Sequence, residues 1–238
     1  IPKGCVHTHE NTLKSGAHEY QLRSIGHDLT RCDSVLIFIP MTYIGGLNGG
    51  LFPSCVHGRT IVELARFEPV AAMEATDKYK VEYFAGNIPL YKGLLEHPAL
   101  KDYDLSSVKL WSAAEWMLWL SRDFAKRWED AAGKPLCKVG YMMGTEVANV
   151  GLCGSRVGYE VPFKDAFMMG VVPPDEGVDV RVVDFDTREV LPFGQQGEIA
   201  MKSPAQLKYY WNKPEETAAT FTPDGWLYTG DVGMLDEE

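Results

Sequence analysis

Apolar runs and amphipathic stretches alternate along the first 140 residues of the chain. Continuous runs of apolar and β-branched residues predict buried strands, whereas apolar positions that recur every three to four residues predict helices. The predicted strands are 34–40, 59–64, 81–85, 108–112 and 136–141, and the predicted helices are 10–25, 68–80, 88–96 and 121–132. Strands and helices that alternate at this spacing indicate right-handed crossovers and an α/β fold, in which helices cover both faces of a mostly parallel sheet.

The pattern changes after residue 158. Residues 178–184 and 197–202 alternate apolar and polar side chains, and turn residues at Asp186–Thr187 and Phe193–Gly194 separate these two predicted strands. A short helix over 213–221 and a short strand over 226–228 follow. We therefore expect an α/β subdomain over residues 1–165 and a small antiparallel β subdomain over residues 166–238.

Composition and charge narrow the functional classes. The chain has 238 residues, of which 45% are hydrophobic and 24% charged, as in a soluble globular protein with a sizeable core. A net charge of -10 argues against a broad nucleic-acid surface, which needs a basic field. Its five cysteines are scattered and never spaced as C-x-x-C, which favours reduced thiols in a cytoplasm over disulfides or zinc. No apolar run approaches the roughly 20 residues of a membrane span.

The two ends of the chain suggest a piece of a longer protein. The sequence opens at Ile1 without a methionine and stops at Glu238, in each case inside a stretch that resembles a motif. An incomplete parallel sheet exposes an edge that can self-associate, so a homo-oligomer stays open.

Loops at the carboxyl ends of parallel strands are the expected place for a ligand. In the loop 112–117, small residues allow a flat ring to lie on the backbone. In the loop 141–146, Thr145 can donate to a phosphate oxygen and Glu146 can bind Mg²⁺. The alternative for this pair is structural, with Thr145 capping a helix and Glu146 in its first turn.

Two residues near the ends of the chain are further candidates. Lys3 lies between Pro2 and Gly4 on a loop before a predicted helix, where it either contacts phosphate or is a solvated terminal lysine. Asp231 follows Gly230 at the predicted end of a strand. There it either accepts hydrogen bonds from a diol such as a ribose or belongs to an ordinary surface turn.

Five motifs occur in a fixed order and resemble one family. They are Pro2-Lys3-Gly4 with Thr8-His9, Tyr141–Glu146, Gly197-Glu198-Ile199, Pro214-Glu215 with Thr217 and Phe221, and Asp224-Gly225-Trp226 with Thr229-Gly230-Asp231. With these motifs the chain resembles the AMP-forming acyl-CoA synthetases of the adenylate-forming superfamily over essentially its whole length.

The resemblance implies roles for individual residues. It implies catalytic roles for Lys3, Thr145 and Glu146, with Glu146 also as the Mg²⁺ ligand. The implied ATP/AMP-binding residues are Ala113, Ala114, Glu115, Tyr141, Met142, Met143, Gly144, Thr145 and Asp231. The implied residues around the carboxylic acid substrate are Tyr43, Gly45 and Trp116.

The resemblance also implies a reaction. Such an enzyme activates a carboxylic acid with ATP as an acyl-adenylate and passes the acyl group to coenzyme A, as in fatty acid metabolism. The family's mobile domain with its catalytic lysine does not lie within these 238 residues, so we expect this piece alone to be inactive or nearly so.

Departures from the family keep alternatives open. Met142-Met143 stand where the family usually has Tyr-Gly, Trp116 where proline is common, and Tyr209 where glycine is common. The alternatives are an acyl-AMP ligase, an aminoacyl-adenylating domain and a non-catalytic nucleotide-binding module. The sequence does not specify whether the acid is aryl, medium-chain or long-chain.

Overall fold

The computed structural model describes residues 2–24, 32–114, 121–139, 144–147, 155–157 and 177–237. In these ranges the strands are β1 (Cys5–Val6), β2 (Ser34–Ile37), β3 (Thr60–Glu63), β4 (Tyr83–Gly86), β5 (Leu110–Ala114), β6 (Leu136–Val139), β7 (Ser155–Val157), β8 (Asp179–Val183), β9 (Gly197–Lys202), β10 (Tyr209–Tyr210) and β11 (Leu227–Gly233). The helices are α1 (His9–Ser24), α2 (Ile44–Gly46), α3 (Phe52–His57), α4 (Pro69–Tyr79), α5 (Ile88–Leu95), α6 (Arg122–Ala132) and α7 (Pro214–Thr220), with a π-helical segment at Leu47–Leu51 and 3₁₀ turns at Pro98–Asp102 and Thr145–Val147. Every predicted strand and helix is present, with shifted ends.

Among the described residues, the larger sheet has six strands in the order β3-β2-β4-β5-β6-β7. The first five are parallel, and β7 runs antiparallel to β6 at one edge. Strand β2 is buried along its whole length because it lies between two neighbours and is covered on both faces. The predicted α/β class with a mostly parallel sheet is confirmed.

One face of this sheet carries an aromatic core. Helices α4, α5 and α6 contribute Met73, Tyr91 and Trp128, which pack with Trp111 of β5. The rings of Tyr91 and Trp128 lie 4.8 Å apart between centroids, and those of Trp111 and Trp128 lie 5.1 Å apart, both edge-to-face. The Tyr91 hydroxyl donates to the backbone carbonyl oxygens of Phe84 in β4 and Ser112 in β5, at 3.0 and 2.8 Å, which ties these two strands together.

Helix α6 begins and ends where the sequence predicts. The Ser121 hydroxyl accepts a hydrogen bond from the Phe124 backbone N–H at 3.2 Å and so caps the first turn. Gly133 ends the helix with a φ of +72°, a left-handed conformation that glycine adopts without strain.

The glycine-rich stretch after β2 is helical, which the sequence analysis did not predict. Ile44–Gly46 continues through the π-helical segment into Phe52–His57. Glycine disfavours helices, but packing overrides this preference here. A Cβ atom at Gly46 would collide with the Pro40 carbonyl oxygen, and one at Gly50 would lie 2.7 Å from the Ile37 side chain. The glycines therefore allow this helical stretch to lie directly against β2.

Within residues 177–237 the chain forms a three-stranded antiparallel sheet in the order β11-β9-β8. Its strand β11 continues past Asp231 to Gly233, with a register shift between Tyr228 and Val232. The prediction that Asp231 stands at a strand end is therefore wrong. Asp231 lies in a bulge inside a longer strand, because Gly230 bends the backbone with a φ of +78° while the strand resumes beyond it.

A separate two-stranded pairing joins the start of the chain to its second half. Strand β1, which the sequence analysis did not predict, pairs antiparallel with β10, with Cys5 opposite Tyr210. A small core of buried side chains, including Val147, Met201, Tyr210 and Leu227, lies beside it. This packing brings the N-terminal loop, the 3₁₀ turn at Thr145–Val147 and β11 to one place.

Candidate nucleotide-binding site

A pocket of about 370 Å³ lies where these three segments meet. Four residues that the sequence analysis proposed for the site, Lys3, Gly144, Glu146 and Asp231, line it together. The other described lining residues are Val147, Arg188, Glu198, Tyr210, Ala219, Thr220, Leu227, Tyr228, Thr229 and Gly230. The fold thus brings residues from opposite ends of the chain into one cavity.

Backbone hydrogen bonds hold the loop that carries Lys3. The N–H of Trp211 donates to the Gly4 carbonyl oxygen and that of Lys208 to the Val6 carbonyl oxygen, both at 2.8 Å. Thr8 and Asn11 then cap α1 reciprocally: each side-chain oxygen accepts from the other residue's backbone N–H, at 3.2 and 2.8 Å. Lys3 is therefore fixed beside β10 by its own backbone neighbours.

The turn that carries Glu146 is anchored on two sides. Leu207 donates its backbone N–H to the Glu146 carbonyl oxygen at 2.6 Å. The ring Nε2 of His7 lies 2.6 Å from the Thr145 carbonyl oxygen, and Val147 is buried in the small core. Thr145 is the first residue of the short 3₁₀ turn, and the residues that follow Val147 lie outside the described part.

Tyr210 connects the lysine and the glutamate of the site. The ammonium of Lys3 lies 4.2 Å from the centre of the Tyr210 ring, a cation–π contact. The Tyr210 hydroxyl donates to Glu146 Oε1 at 2.8 Å. Burial, reinforced by this hydrogen bond, raises the pKa of the Tyr210 hydroxyl above its usual value, so the phenol stays protonated and remains a donor.

The thiol of Cys5 interacts with Glu146 beside the pocket. Burial, and then the negative charge of Glu146, raise the pKa of Cys5 to about 11. The thiol is therefore protonated at neutral pH and is a poor nucleophile.

Asp231 is held in its bulge by contacts with β9. Its backbone N–H donates to Thr229 Oγ1 at 3.1 Å, and that hydroxyl donates to the Ile199 carbonyl oxygen at 2.8 Å. Partial burial raises the pKa of the Asp231 carboxyl, and the negative charges of Glu146 and Glu198 raise it further. The pocket thus gathers three carboxylates around a space that Lys3 and Arg188 also border.

Sequence reasoning missed Tyr210, Glu198 and Arg188 as pocket residues. Glu198 belongs to a motif that supported the family resemblance, but no role was assigned to it. Its signal was present: a glutamate between apolar residues of a predicted strand must find a partner if the strand is buried. Tyr210 carried no such signal, because its position depends on the unpredicted pairing of β1 with β10.

Other proposed residues lie elsewhere or outside the described part. Tyr43 is 44% exposed, and its ring lies against Gly45. Ala113 is fully buried in the aromatic core, and Ala114 ends β5. Thr145 is exposed and flanked by two lining residues but does not line the pocket itself. The remaining candidates lie outside the described residues: Glu115, Trp116, Tyr141, Met142 and Met143.

The described residues contain no cluster of three or more histidine, cysteine, aspartate or glutamate side chains that could hold a metal ion. Glu146 offers a single carboxylate, which is compatible with Mg²⁺ because this ion commonly takes one or two protein carboxylates and completes its shell with phosphates and water. Within the same described ranges, no helix is both long and apolar enough to cross a membrane.

Comparison with known proteins identifies the family. Residues 1–211 match the family model described as AMP-binding enzyme. Over its whole length the chain is 33% identical to a long-chain-fatty-acid–CoA ligase of Bacillus subtilis (strain 168) and 30% identical to 4-coumarate–CoA ligase 4 of Arabidopsis thaliana. It covers 40% and 41% of these two proteins, so it spans less than half of their length.

Solved structures agree with this assignment. Apo MatB from Rhodopseudomonas palustris superimposes with a TM-score of 0.81 at 25% identity, over 99% of this chain and 44% of that one. An amide bond synthetase from Marinactinospora thermotolerans superimposes with a TM-score of 0.75 at 27% identity, again over 99% of this chain and 44% of the other. On the match to the family model and the agreement of the fold, the chain belongs to the AMP-binding enzyme family.

Proposed function

We propose that the protein carrying this chain is an ATP-dependent carboxylic acid–CoA ligase. It activates a carboxylic acid as an acyl-adenylate with release of pyrophosphate, and then transfers the acyl group to the thiol of coenzyme A. Family membership supports the adenylation step, and the two relatives named above are both CoA ligases. Because the chain spans about 40% of those relatives, the reaction is proposed for the whole protein, and we expect residues 1–238 alone to be inactive or nearly so.

The observation that carries this proposal is the convergence of Lys3, Glu146 and Asp231 on one pocket. The Lys3 ammonium would pair with phosphate oxygens, and the Asp231 carboxylate would accept hydrogen bonds from the ribose hydroxyls. Thr145, beside the pocket, would donate its hydroxyl to a phosphate oxygen.

Glu146 would hold the Mg²⁺ that accompanies ATP. When bound, this ion neutralises charge that develops on the phosphates during adenylation. The chain's own contribution is to orient the carboxylate, which the Tyr210 hydroxyl does through its hydrogen bond to Oε1.

Adenine and the acid are proposed to bind at the carboxyl edge of the larger sheet. Strands β2 and β5 are parallel members of this sheet, so their carboxyl ends lie at the same edge. The proposed adenine residues are Ala113, Ala114, Glu115, Tyr141, Met142, Met143 and Gly144. The proposed acid-binding residues are Tyr43, Gly45 and Trp116.

A second acceptor class stays open for the second step. The likeness to an amide bond synthetase favours keeping transfer to an amine as an alternative to transfer to coenzyme A. A fatty acid or an aryl acid is proposed as the substrate, since one of the two relatives named above is a ligase for a fatty acid and the other is a ligase for 4-coumarate, an aryl acid. A cytoplasmic location and a homo-oligomer remain predictions, as does the subdomain boundary at residues 165/166, which lies outside the described part.

Exchange of pyrophosphate into ATP by the complete protein tests the proposal. Acetate, medium-chain, long-chain and aryl acids are compared, each with and without coenzyme A. Exchange with one acid class, and thioester formation only when coenzyme A is added, is the expected result. ATP binding without exchange for any acid would instead favour the non-catalytic nucleotide-binding module.

A further inference from the structure

We propose that Glu198 is a positioning residue that holds the Thr229–Asp231 bulge in the form that binds a ribose diol. The inference rests on the proposed function, in which Asp231 accepts hydrogen bonds from the ribose hydroxyls. In this inference the buried carboxylate of Glu198 in β9 orients the carboxylate of Asp231 in the neighbouring strand β11.

Glu198 is almost completely buried, with 6% of its surface exposed, although it belongs to the lining of the pocket. A buried carboxylate is costly unless its oxygens are hydrogen-bonded or paired with a cation. Both oxygens of Glu198 are used: Oε1 accepts from the Gly230 backbone N–H at 2.9 Å, and Oε2 pairs with the Arg188 guanidinium.

The contact with Gly230 falls at the point where β11 leaves its regular register. Val232 pairs with Glu198 and Tyr228 with Ala200, so three residues of β11 lie opposite a single residue of β9. The Gly230 N–H is thereby turned toward the Glu198 side chain. Asp231 follows directly, and its direction into the pocket depends on how this peptide is held.

Arg188 adds a second contact with β11. Its guanidinium lies 4.4 Å from the centre of the Tyr228 ring, on the strand that carries the bulge. Arg188 itself has a φ of +63°, a conformation that is strained for a residue other than glycine. Glu198 and Arg188 therefore contact β11 at Gly230 and Tyr228, just before Asp231.

A role confined to fold stability would have a different consequence. Loss of stability alone would weaken binding of every nucleotide by a similar factor. A positioning role changes the discrimination between a nucleotide that has ribose hydroxyls and one that lacks them, because only that difference reports on Asp231.

The test is equilibrium binding of AMP and of 2′,3′-dideoxyadenosine monophosphate to the complete protein, measured by calorimetry. In the wild type, removal of the two hydroxyls should weaken binding about tenfold or more, since hydrogen bonds to a charged acceptor are lost. In Asp231→Asn and in Glu198→Ala this penalty should fall to about twofold. Glu189→Ala, which alters the exposed glutamate that follows Arg188 in the chain, should keep the wild-type penalty.

Glu198→Gln keeps the buried volume and serves if Glu198→Ala does not fold. Its amide offers one acceptor oxygen where the carboxylate offers two, so either the Gly230 N–H or the Arg188 guanidinium faces a second donor, and the penalty should again be smaller than in the wild type. If Asp231→Asn loses the penalty while both Glu198 variants keep it, the inference is overturned and the proposed function stands. If the wild type shows no penalty, the ribose-binding role of Asp231 in the proposed function fails.

Discussion

Tyr210 offers the sharpest mutational test of how the phosphate side of the pocket works. Tyr210→Phe removes only the hydroxyl that donates to Glu146 Oε1 at 2.8 Å and keeps the ring on which Lys3 lies. Tyr210→Leu removes both. The two variants therefore separate the hydrogen bond to the glutamate from the cation–π contact with the lysine.

The expected size follows from the burial of the two partners. Tyr210 is 3% exposed whereas Glu146 is only partly buried, so water can replace part of the lost hydrogen bond. A hydrogen bond to a charged group contributes about 1.5–3 kcal/mol, and because water replaces part of this one we take a smaller value, about 1–1.5 kcal/mol. This predicts a fall of about 5–10-fold in kcat/KM for Tyr210→Phe. Loss of the ring contact, worth about 0.5–1 kcal/mol, predicts a further 2–5-fold for Tyr210→Leu.

The assay is ATP–pyrophosphate exchange by the complete protein at saturating acid, with ATP varied. Tyr209→Phe is the matched control, because Tyr209 directly precedes Tyr210, is 39% exposed and does not line the pocket. Thermal unfolding of each variant shows whether it is folded at the assay temperature. Wild-type exchange by Tyr210→Phe, or an equal loss in Tyr209→Phe, would refute the role given to the Tyr210 hydroxyl.

Three further predictions concern stability, pH and thiol reactivity. Ser121→Ala should lower the free energy of unfolding by about 1 kcal/mol in urea titrations, because it removes the cap of α6, and an unchanged midpoint would contradict that capping role. Asp231→Asn should raise the free energy of unfolding at neutral pH, because folding raises the pKa of Asp231 and the charged carboxylate therefore disfavours the folded state. This gain should vanish below the ordinary aspartate pKa of about 3.9, and unfolding titrations in which it persists in acid would contradict the reasoning. At pH 8, iodoacetamide should modify exposed Cys55 well before Cys5, whose pKa is raised to about 11, and mass mapping that finds the reverse order would contradict the burial described for Cys5.

The sequence predicted those parts of the fold in which a local pattern and the tertiary environment agree. Strands β2 and β5 are continuous apolar or small-residue runs, and burial on both faces is what such runs favour. Helix α6 has its serine cap and its terminal glycine in the expected places. The sequence did not predict that residues 44–57 are helical, because glycine has a low helix propensity. Contact with β2 and with the loop after it makes this stretch helical.

The sequence likewise predicted some residues of the pocket and missed others. Lys3, Glu146 and Asp231 were proposed from motifs, and the fold places all three on one cavity. Tyr210 could not be found, because the pairing of β1 with β10 is two residues long and leaves no periodic signal. The support that Glu198 gives to Asp231 arises from a bulge, and a register shift between strands is invisible in either strand alone.

A crystal structure of the complete protein with bound ATP would test the central claim, that Lys3, Glu146 and Asp231 form one nucleotide site. The account predicts ribose hydroxyls within about 3 Å of the Asp231 carboxylate and phosphate oxygens at the same distance from the Lys3 ammonium. Nucleotide bound elsewhere, with this pocket filled only by solvent, would contradict it.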